Sequence, residues 1–368
     1  MSTHLDLEPM DVPGRLARLR DSLAAVGCDR LVVQHLTNVR YLTGFTGSAA
    51  TIVVDPSGTV LVTDGRYEEQ AADELARAGV AAELVIGRTL AAQADELRSR
   101  LSGAGRVGLE ADHVTWAQQR RYADLVDGEL VPTEGLVEAL RAVKDPGEVA
   151  RIRAACAIAD EALAAVLPQL GSRPTEAGFA AALEAEMRSR GADDISFDSI
   201  VASGPNGSRP HHQPGPRHIE EGDLVVIDFG ALVDGYHSDM TRTVPVGGLT
   251  ALDGTQRRML EVVTAAQAAG VATVAAGAPV AAVDAACRSV IDEAGWGDAF
   301  VHGTGHGVGL DIHEAPGVNG TSTATLVAGQ VVTVEPGVYL PGHGGVRVED
   351  TVVVTTDGCR PLTCAPKP

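Results

Sequence analysis

Two stretches decide the fold: Gly222-Asp-Leu-Val-Val-Ile-Asp228-Phe-Gly230 and Gly329-Gln-Val-Val-Thr-Val-Glu335-Pro-Gly337. One lies on the other at a constant offset of 107, which also carries Gly235 onto Gly342. Shared glycines and valines alone mean little, because strands and turns draw on few residue types. The informative match is an acid at the same point of both copies. Each stretch reads as an apolar strand ending in a carboxylate, followed by a turn and a return strand. The pattern predicts a pseudo-twofold domain with an acidic β-hairpin in each half.

In the first hairpin Asp239 follows Asp228 across the turn signal Asp234-Gly235. A two-residue loop at 233–234 sets Asp228 opposite Asp239. A loop at 234–235 sets it opposite Thr241, two residues from Asp239 and on the same face. Both registers point the two carboxylates one way. In the second hairpin an odd-length loop around 341–345 pairs Glu335 with Glu349, and Arg347 shares the parity of Glu349. If the pseudo-twofold holds, four carboxylates converge. Like charges in a partly buried site raise one another's pKa until some protonate, unless cations compensate. Two divalent ions supply +4 against −4, and a pair about 3.5–4 Å apart sharing a water or hydroxide is the arrangement this favours.

Eleven histidines occur, and two local clusters stand out. His302-Gly-Thr-Gly-His306-Gly-Val-Gly-Leu-Asp-Ile-His313 is glycine-rich, so its backbone can approach a neighbour closely. Pro210-His211-His212 follows a loop-like stretch. His4, His35, His113, His218 and His343 are read as hydrogen-bonded structural residues. His237 shares the face of Asp239 and is read as supporting a ligand rather than being one.

Around this centre, the chain's 368 residues suggest two domains. Residues 1–143 alternate helix and strand, with a helix around Leu16–Val26 closed by Gly27. Strands are expected at Leu31–Val33, Thr51–Val54, Val60–Thr63, Leu84–Ile86 and Val107–Leu109. The boundary is marked at Lys144-Asp-Pro-Gly-Glu148, where Asp145 suits an N-cap, Pro146 the first helical position and Glu148 the third. Residues 144–368 form the second domain. Its first helix buries Val149, Ile152, Cys156, Ala159, Leu163 and Val166, and further helices are expected at Thr175–Arg190, Thr255–Ala269 and Pro279–Glu293. The fold class is α+β.

The net charge of −20 repels nucleic acid and anionic lipid. The uncharged run Val262–Val283 is long enough for a membrane, yet it is alanine-rich and broken by Gln267, Gly270, Gly277 and Pro279, so a pair of helices is expected. Five scattered cysteines without a C-x-x-C pair fit reduced thiols in a cytosol. The first residues lack the basic and then apolar order of a signal peptide. Lysine is nearly absent, occurring only at 144 and 367, which is read as compositional bias.

Asp-Phe-Gly…Gly-Tyr-His-Ser-Asp-Met-Thr-Arg-Thr, His-Gly-Thr-Gly-His-Gly-Val-Gly-Leu…His-Glu, Val-Glu-Pro-Gly-Val-Tyr and Val-Arg-Val-Glu-Asp together resemble the "pita-bread" metallopeptidases, Xaa-Pro dipeptidase (prolidase) and Xaa-Pro aminopeptidase above all. Asn38-Val-Arg-Tyr-Leu-Thr-Gly-Phe-Thr-Gly47 and Val62-Thr-Asp-Gly-Arg-Tyr67 resemble the creatinase-type domain that precedes the catalytic domain in that family. The resemblance implies a pita-bread catalytic domain behind a smaller mixed α/β domain. It implies that Asp228, Asp239, His306, Glu335 and Glu349 bind two metal ions, with Glu335 also shuttling a proton. His211 and His313 match histidines beside the scissile bond, and His302 one that lines the substrate pocket. Arg347 matches an arginine that borders the substrate and pairs with a ligand carboxylate. Four carboxylates and one imidazole suit Mn(II), with Co(II) or Zn(II) as alternatives.

The activity implied is hydrolysis of Xaa-Pro bonds, in dipeptides or in peptides with proline second, by attack of a metal-bridging hydroxide. A cytoplasmic homodimer without nucleic-acid or membrane partners is implied as well. Two rival readings are a non-prolyl dipeptidase of the same fold and an inactive peptide-binding relative. Creatinase itself is metal-free and lacks the ligand set, which is intact here.

Overall fold

The computed structural model describes residues 7–367; His4 lies outside them. The chain forms two units, one spanning Met10–Arg141 and the other running from Ala142 onward together with the segment ending at Pro9. The contacts therefore divide the chain two residues before the break expected after 143. Residues 7–9, expected with the first domain, group with the second unit, and there the Glu8 carbonyl accepts from Arg151 at 2.8 Å.

The first unit is built on one six-stranded sheet in the order Glu83–Ile86, Thr59–Thr63, Ala50–Val54, Arg30–Val33, Arg106–Glu110, Glu129–Thr133. The central strand Arg30–Val33 pairs antiparallel with Ala50–Val54 and parallel with Arg106–Glu110. All five strands read from the sequence are present, and Glu129–Thr133 is a sixth. The helix Val12–Val26 stops at Gly27, whose φ of 67° no β-carbon-bearing residue adopts cheaply.

In the second unit, two helices precede a hairpin, and the order then repeats. The helices Pro146–Val166 and Glu176–Ser189 precede the strands Leu224–Phe229 and Met240–Pro245, while Gly254–Thr273 and Val280–Glu293 precede Val331–Val334 and Asp350–Thr355. The offset of 107 holds in the backbone. Gly222 and Gly329 have φ of 87° and 92°, and Gly235 and Gly342 have 75° and 89°.

The helix Pro146–Val166 opens with the expected capping box. Asp145 accepts from Glu148 N at 2.9 Å, and Glu148 accepts from Asp145 N at 2.9 Å. Of its expected stripe, Ala159, Leu163 and Val166 share a core with Phe179, Ile227 and Phe229, Ile152 and Cys156 are buried as well, and Val149, expected to be buried, is only partly so. The run Pro146–Ser172 could cross a membrane by length and composition, but here it packs as a core helix.

The stretch 262–283 is indeed two helices, parted at 274–279. Gln267 and Gly270 do not break the first of them. Gln267 is buried and donates to Asp350 at 3.0 Å. A β-carbon at Gly270 would lie 2.4 Å from the sulfur of Cys287, so glycine lets the two helices touch. All five cysteines are free.

Candidate metal centre

Each site residue is placed by a local feature of the sequence. In the first hairpin Asp228 pairs with Thr241 and Val233 with Tyr236, so the turn is Asp234-Gly235. Both turn residues have positive φ, 47° and 75°, the conformation an Asp-Gly hairpin turn favours. Asp239 consequently sits two residues from the position opposite Asp228, on the same face. In the second hairpin Val334 pairs with Asp350 and Gly337 with Arg347, so one register sets Glu335 opposite Glu349. Its loop is Pro341–His343, which is odd in length as the pairing requires.

His306 comes from the short strand Gly305–Gly307. β-Carbons on its glycine neighbours would meet the Thr333 and Ala315 carbonyl oxygens at 2.2 and 2.3 Å, so only glycine lets this strand lie so close.

The two hairpins hold each other. Glu349 N donates to the Thr241 carbonyl at 3.1 Å, and the Thr351 hydroxyl donates to the Asp239 carbonyl at 2.7 Å. The Thr241 hydroxyl donates to Glu349 Oε2 at 2.7 Å and accepts from Arg347 Nε at 3.0 Å. Arg242, itself buried, ties to the Glu349 carbonyl and to the Asp350 carboxylate. Acids far apart in the chain are thereby brought together.

The His306 Nδ1 lies 3.0 Å from the Gly307 carbonyl, which can only accept, so Nδ1 donates there and Nε2 is the nitrogen turned to the acids. It faces Asp239 Oδ2 at 3.4 Å and Glu335 Oε1 at 3.5 Å. Asp239, His306 and Glu349 offer atoms all within 4.8 Å of one another. Asp228 Oδ1 and Glu349 Oε1 are buried and have no hydrogen-bond partner among the described residues. A ring nitrogen and carboxylate oxygens turned towards one another, with unpartnered carboxylate oxygens beside them, are a donor set that could hold cations. Burial, then the charges of Asp228 and Glu335, push the Asp239 carboxyl well above its ordinary pKa. Burial, then Asp239 and Glu335, do the same to Glu349, and burial raises Glu335.

The pocket at this centre has a volume of about 290 Å³ and is also lined by His211, His302, His313, Arg347, Phe197 and Ile200. His313 meets His306 edge to face, with ring centroids 4.3 Å apart. Burial, then the neighbouring His306, lowers its pKa and keeps it neutral. His302 spends both nitrogens, Nδ1 on the Gly303 carbonyl at 2.7 Å and Nε2 on the Tyr339 hydroxyl at 2.8 Å. Burial pulls its pKa down to about 4.

Arg347 borders the pocket, but its guanidinium is committed elsewhere. NH2 holds Asp228 Oδ2 at 2.6 Å and NH1 holds the Tyr339 hydroxyl at 2.7 Å. It orients neighbours rather than reaching into free space. Burial works against its charge, yet Tyr339, Asp228 and Glu335 hold its pKa above the ordinary value.

A family model described as metallopeptidase family M24 matches residues 150–356, and one described as the creatinase/prolidase N-terminal domain matches residues 15–143. The chain belongs to metallopeptidase family M24. An uncharacterized peptidase, YqhT of Bacillus subtilis (strain 168), is 41% identical over 96% of this chain and 98% of that protein. The Xaa-Pro dipeptidase of Pyrococcus furiosus is 34% identical over 95% of this chain and 97% of that protein. Among solved structures, the Xaa-Pro dipeptidase from Bacillus anthracis superposes with a TM-score of 0.92 at 38% identity, covering 97% of this chain and 99% of that one. The fold expected from the resemblance, a creatinase-type unit ahead of an M24 unit, is the one found.

As an M24 metallopeptidase the chain uses divalent metal, and the donor set is chemically suited to it. Sequence reasoning placed Thr241 opposite Asp228 in one register but gave no role to it or to Tyr339, which bridges His302 and Arg347. The register makes Tyr339 recoverable: Arg347 lies opposite Gly337, and Tyr339 is two residues along on that face. A β-carbon at Gly337 would meet the Tyr339 hydroxyl at 2.5 Å, so glycine leaves the path that the ring takes.

The remaining histidines have local partners. His212 pairs with buried Glu176 at 2.8 Å, His218 with the Arg173 carbonyl, His237 with Ser196, and His343 with Asp253. In the first unit, His35, His113 and Glu138 form a second group of ligating residue types. Its imidazoles stack in parallel at 3.7 Å, so their in-plane lone pairs run side by side instead of meeting at one point.

Proposed function

We propose that the chain hydrolyses Xaa-Pro peptide bonds, in dipeptides or at peptide N-termini, with two divalent metal ions, manganese foremost, held by Asp228, Asp239, His306, Glu335 and Glu349. The observation that supports this reading is the grouping of Asp239, His306 and Glu349 within 4.8 Å, with Glu335 3.5 Å from His306, Asp228 lining the same pocket, and Asp228 Oδ1 and Glu349 Oε1 left unpartnered among the described residues. When bound, the ions supply an acidified water as nucleophile and polarise the scissile carbonyl.

Glu335 holds the proton taken from the nucleophile at its carboxylate and passes it to the leaving nitrogen. His313, whose pKa is lowered by burial, offers one ring N–H to the developing oxyanion, and His211 on the pocket wall assists it. An Xaa-Pro bond is a tertiary amide without an N–H. His302 supports its acceptance, because with both nitrogens occupied it presents carbon surface alongside Phe197 and Ile200 to a proline ring. The names of the P. furiosus and B. anthracis proteins support the same substrate class. A cytoplasmic homodimer completes the proposal, and size-exclusion chromatography with light scattering tests the dimer.

The deciding assay strips the protein with a chelator, restores Mn(II), and follows Ala-Pro, Ala-Pro-Ala and Ala-Ala in parallel. Hydrolysis of a prolyl substrate that vanishes with chelation and returns with metal supports the proposal. Faster cleavage of Ala-Ala, or tight metal binding without any hydrolysis, contradicts it.

A further inference from the structure

Twenty-seven of the 29 basic residues are arginine, yet the most deeply buried ammonium in the second unit belongs to Lys144. Its Nζ lies 2.8 Å from Glu314 Oε2, with the two side chains 1% and 6% exposed. The backbone of Lys144 is pinned at its own end, because Lys144 N donates to the Gly329 carbonyl at 3.0 Å and Val143 bridges Gln330. That is the glycine opening the second acidic hairpin.

Glu314 directly follows His313. Its other oxygen accepts from Asp311 N at 3.1 Å. Gly309 N donates to the Asp311 carbonyl at 3.1 Å, and His237 N donates to the Gly309 carbonyl at 2.9 Å. The Glu314 carboxylate fills the inside of this loop so closely that a β-carbon on Gly309 would lie 2.5 Å from both of its oxygens. The loop is thus wound around one buried negative charge, and it carries the His313 ring over His306.

We infer that Lys144 is a positioning residue for His313, acting through Glu314. The inference rests on the proposed peptidase reading for what His313 does. A compact ammonium reaches a single carboxylate oxygen in a closed space, where the planar fork of arginine needs room on two sides. Without it, Glu314 loses the ammonium that faces its Oε2 and either stays buried at a cost or turns outward, so the loop loses its centre. A displacement of about 1 Å at a reacting group costs on the order of 100-fold in rate.

The test is a double-mutant cycle on metal-loaded protein with an Xaa-Pro dipeptide, using Lys144→Met, His313→Ala and the pair. Lys144→Met is expected to lower kcat about 100-fold, with KM and bound metal within about threefold of wild type. The pair is expected to be no slower than His313→Ala alone by more than about threefold, since the lysine acts only through the imidazole. A purely structural lysine would give losses that multiply, and that result overturns the inference, as does a Lys144→Met turnover close to wild type. If Lys144→Met does not fold, Glu314→Gln enters the same cycle; it keeps an acceptor for Asp311 N–H and removes the charge. If wild type cleaves no prolyl substrate, the peptidase reading fails by itself. The crystal structure of Lys144→Met then decides: a displaced His313 ring supports the positioning role, and a ring in its native place ends it.

Discussion

Replacing Asp239 with asparagine should stabilise the metal-free protein and weaken the metal-loaded one. Asp239 and Glu349 offer oxygens no more than 4.8 Å apart in a buried site. At an effective dielectric of 20, two unit charges at that distance repel by about 3.5 kcal/mol. Protonation relieves part of this, so the gain from removing one charge is about 1–3.5 kcal/mol at pH 8, or roughly 2–14 °C in melting temperature for a unit of this size.

The pH dependence follows from the direction of the shifts. Asp239, Glu335 and Glu349 all have raised pKa values in the fold, so the folded metal-free chain binds their protons more tightly than the unfolded chain does. That stabilisation is complete below the ordinary carboxylate pKa and is lost as pH rises through the raised values. Metal-free wild type should therefore melt lower at pH 8 than at pH 5, and Asp239→Asn should flatten this fall. With Mn(II) at 100 times its dissociation constant, each ion adds about 2.7 kcal/mol to wild type, whereas Asp239→Asn should gain little. The order of stabilities then reverses. Differential scanning calorimetry with and without chelator reads all four combinations. An Asp239→Asn protein that melts below wild type in chelator at pH 8 would refute the electrostatic account of the site.

His313→Ala should lower kcat by about 100- to 1,000-fold, the range for a lost oxyanion donor, while plasma emission shows unchanged metal content. Arg347→Met strands the Asp228 carboxylate and should cost about 3–5 kcal/mol in chelator; added metal should recover part of it, which a urea titration with and without Mn(II) measures. Asp145→Ala removes the cap of the helix Pro146–Val166 and should cost about 1 kcal/mol without altering turnover, so a combined melt and Ala-Pro assay separates scaffold from site.

What could be read from the chain depended on the range of the interaction. Gly27 as a helix stop, the Asp145–Pro146–Glu148 box and the first unit's strands depend on neighbouring residues, and they are where the periodicity places them. The choice between two turn registers at 233–235 needed the positive φ of Asp234, which is a backbone fact. Gln267 reads locally as a helix breaker, but its partner Asp350 arrives from the other end of the unit. Lysine scarcity reads as composition until Glu314 is found 170 positions away from Lys144. Tyr339 went unnoticed because its role rests on two contacts, Arg347 and His302, made by different segments.

The departure from symmetry between the hairpins has its own chemical logic. Eleven residues separate the acids of the first hairpin and fourteen those of the second. Had the first followed the second, Asp239 would stand directly opposite Asp228. Instead Thr241 holds that position, and its one hydroxyl donates to Glu349 while accepting from Arg347. Arg347 in turn grips Asp228. A threonine at the centre of the repeat thus links a carboxylate of one half to a carboxylate of the other through a single cation. Thr241→Val, which keeps the shape and removes the hydroxyl, would leave Glu349 Oε2 as bare as Oε1 already is. The link therefore restrains two of the five donors, one from each half, without using any oxygen that already lacks a partner.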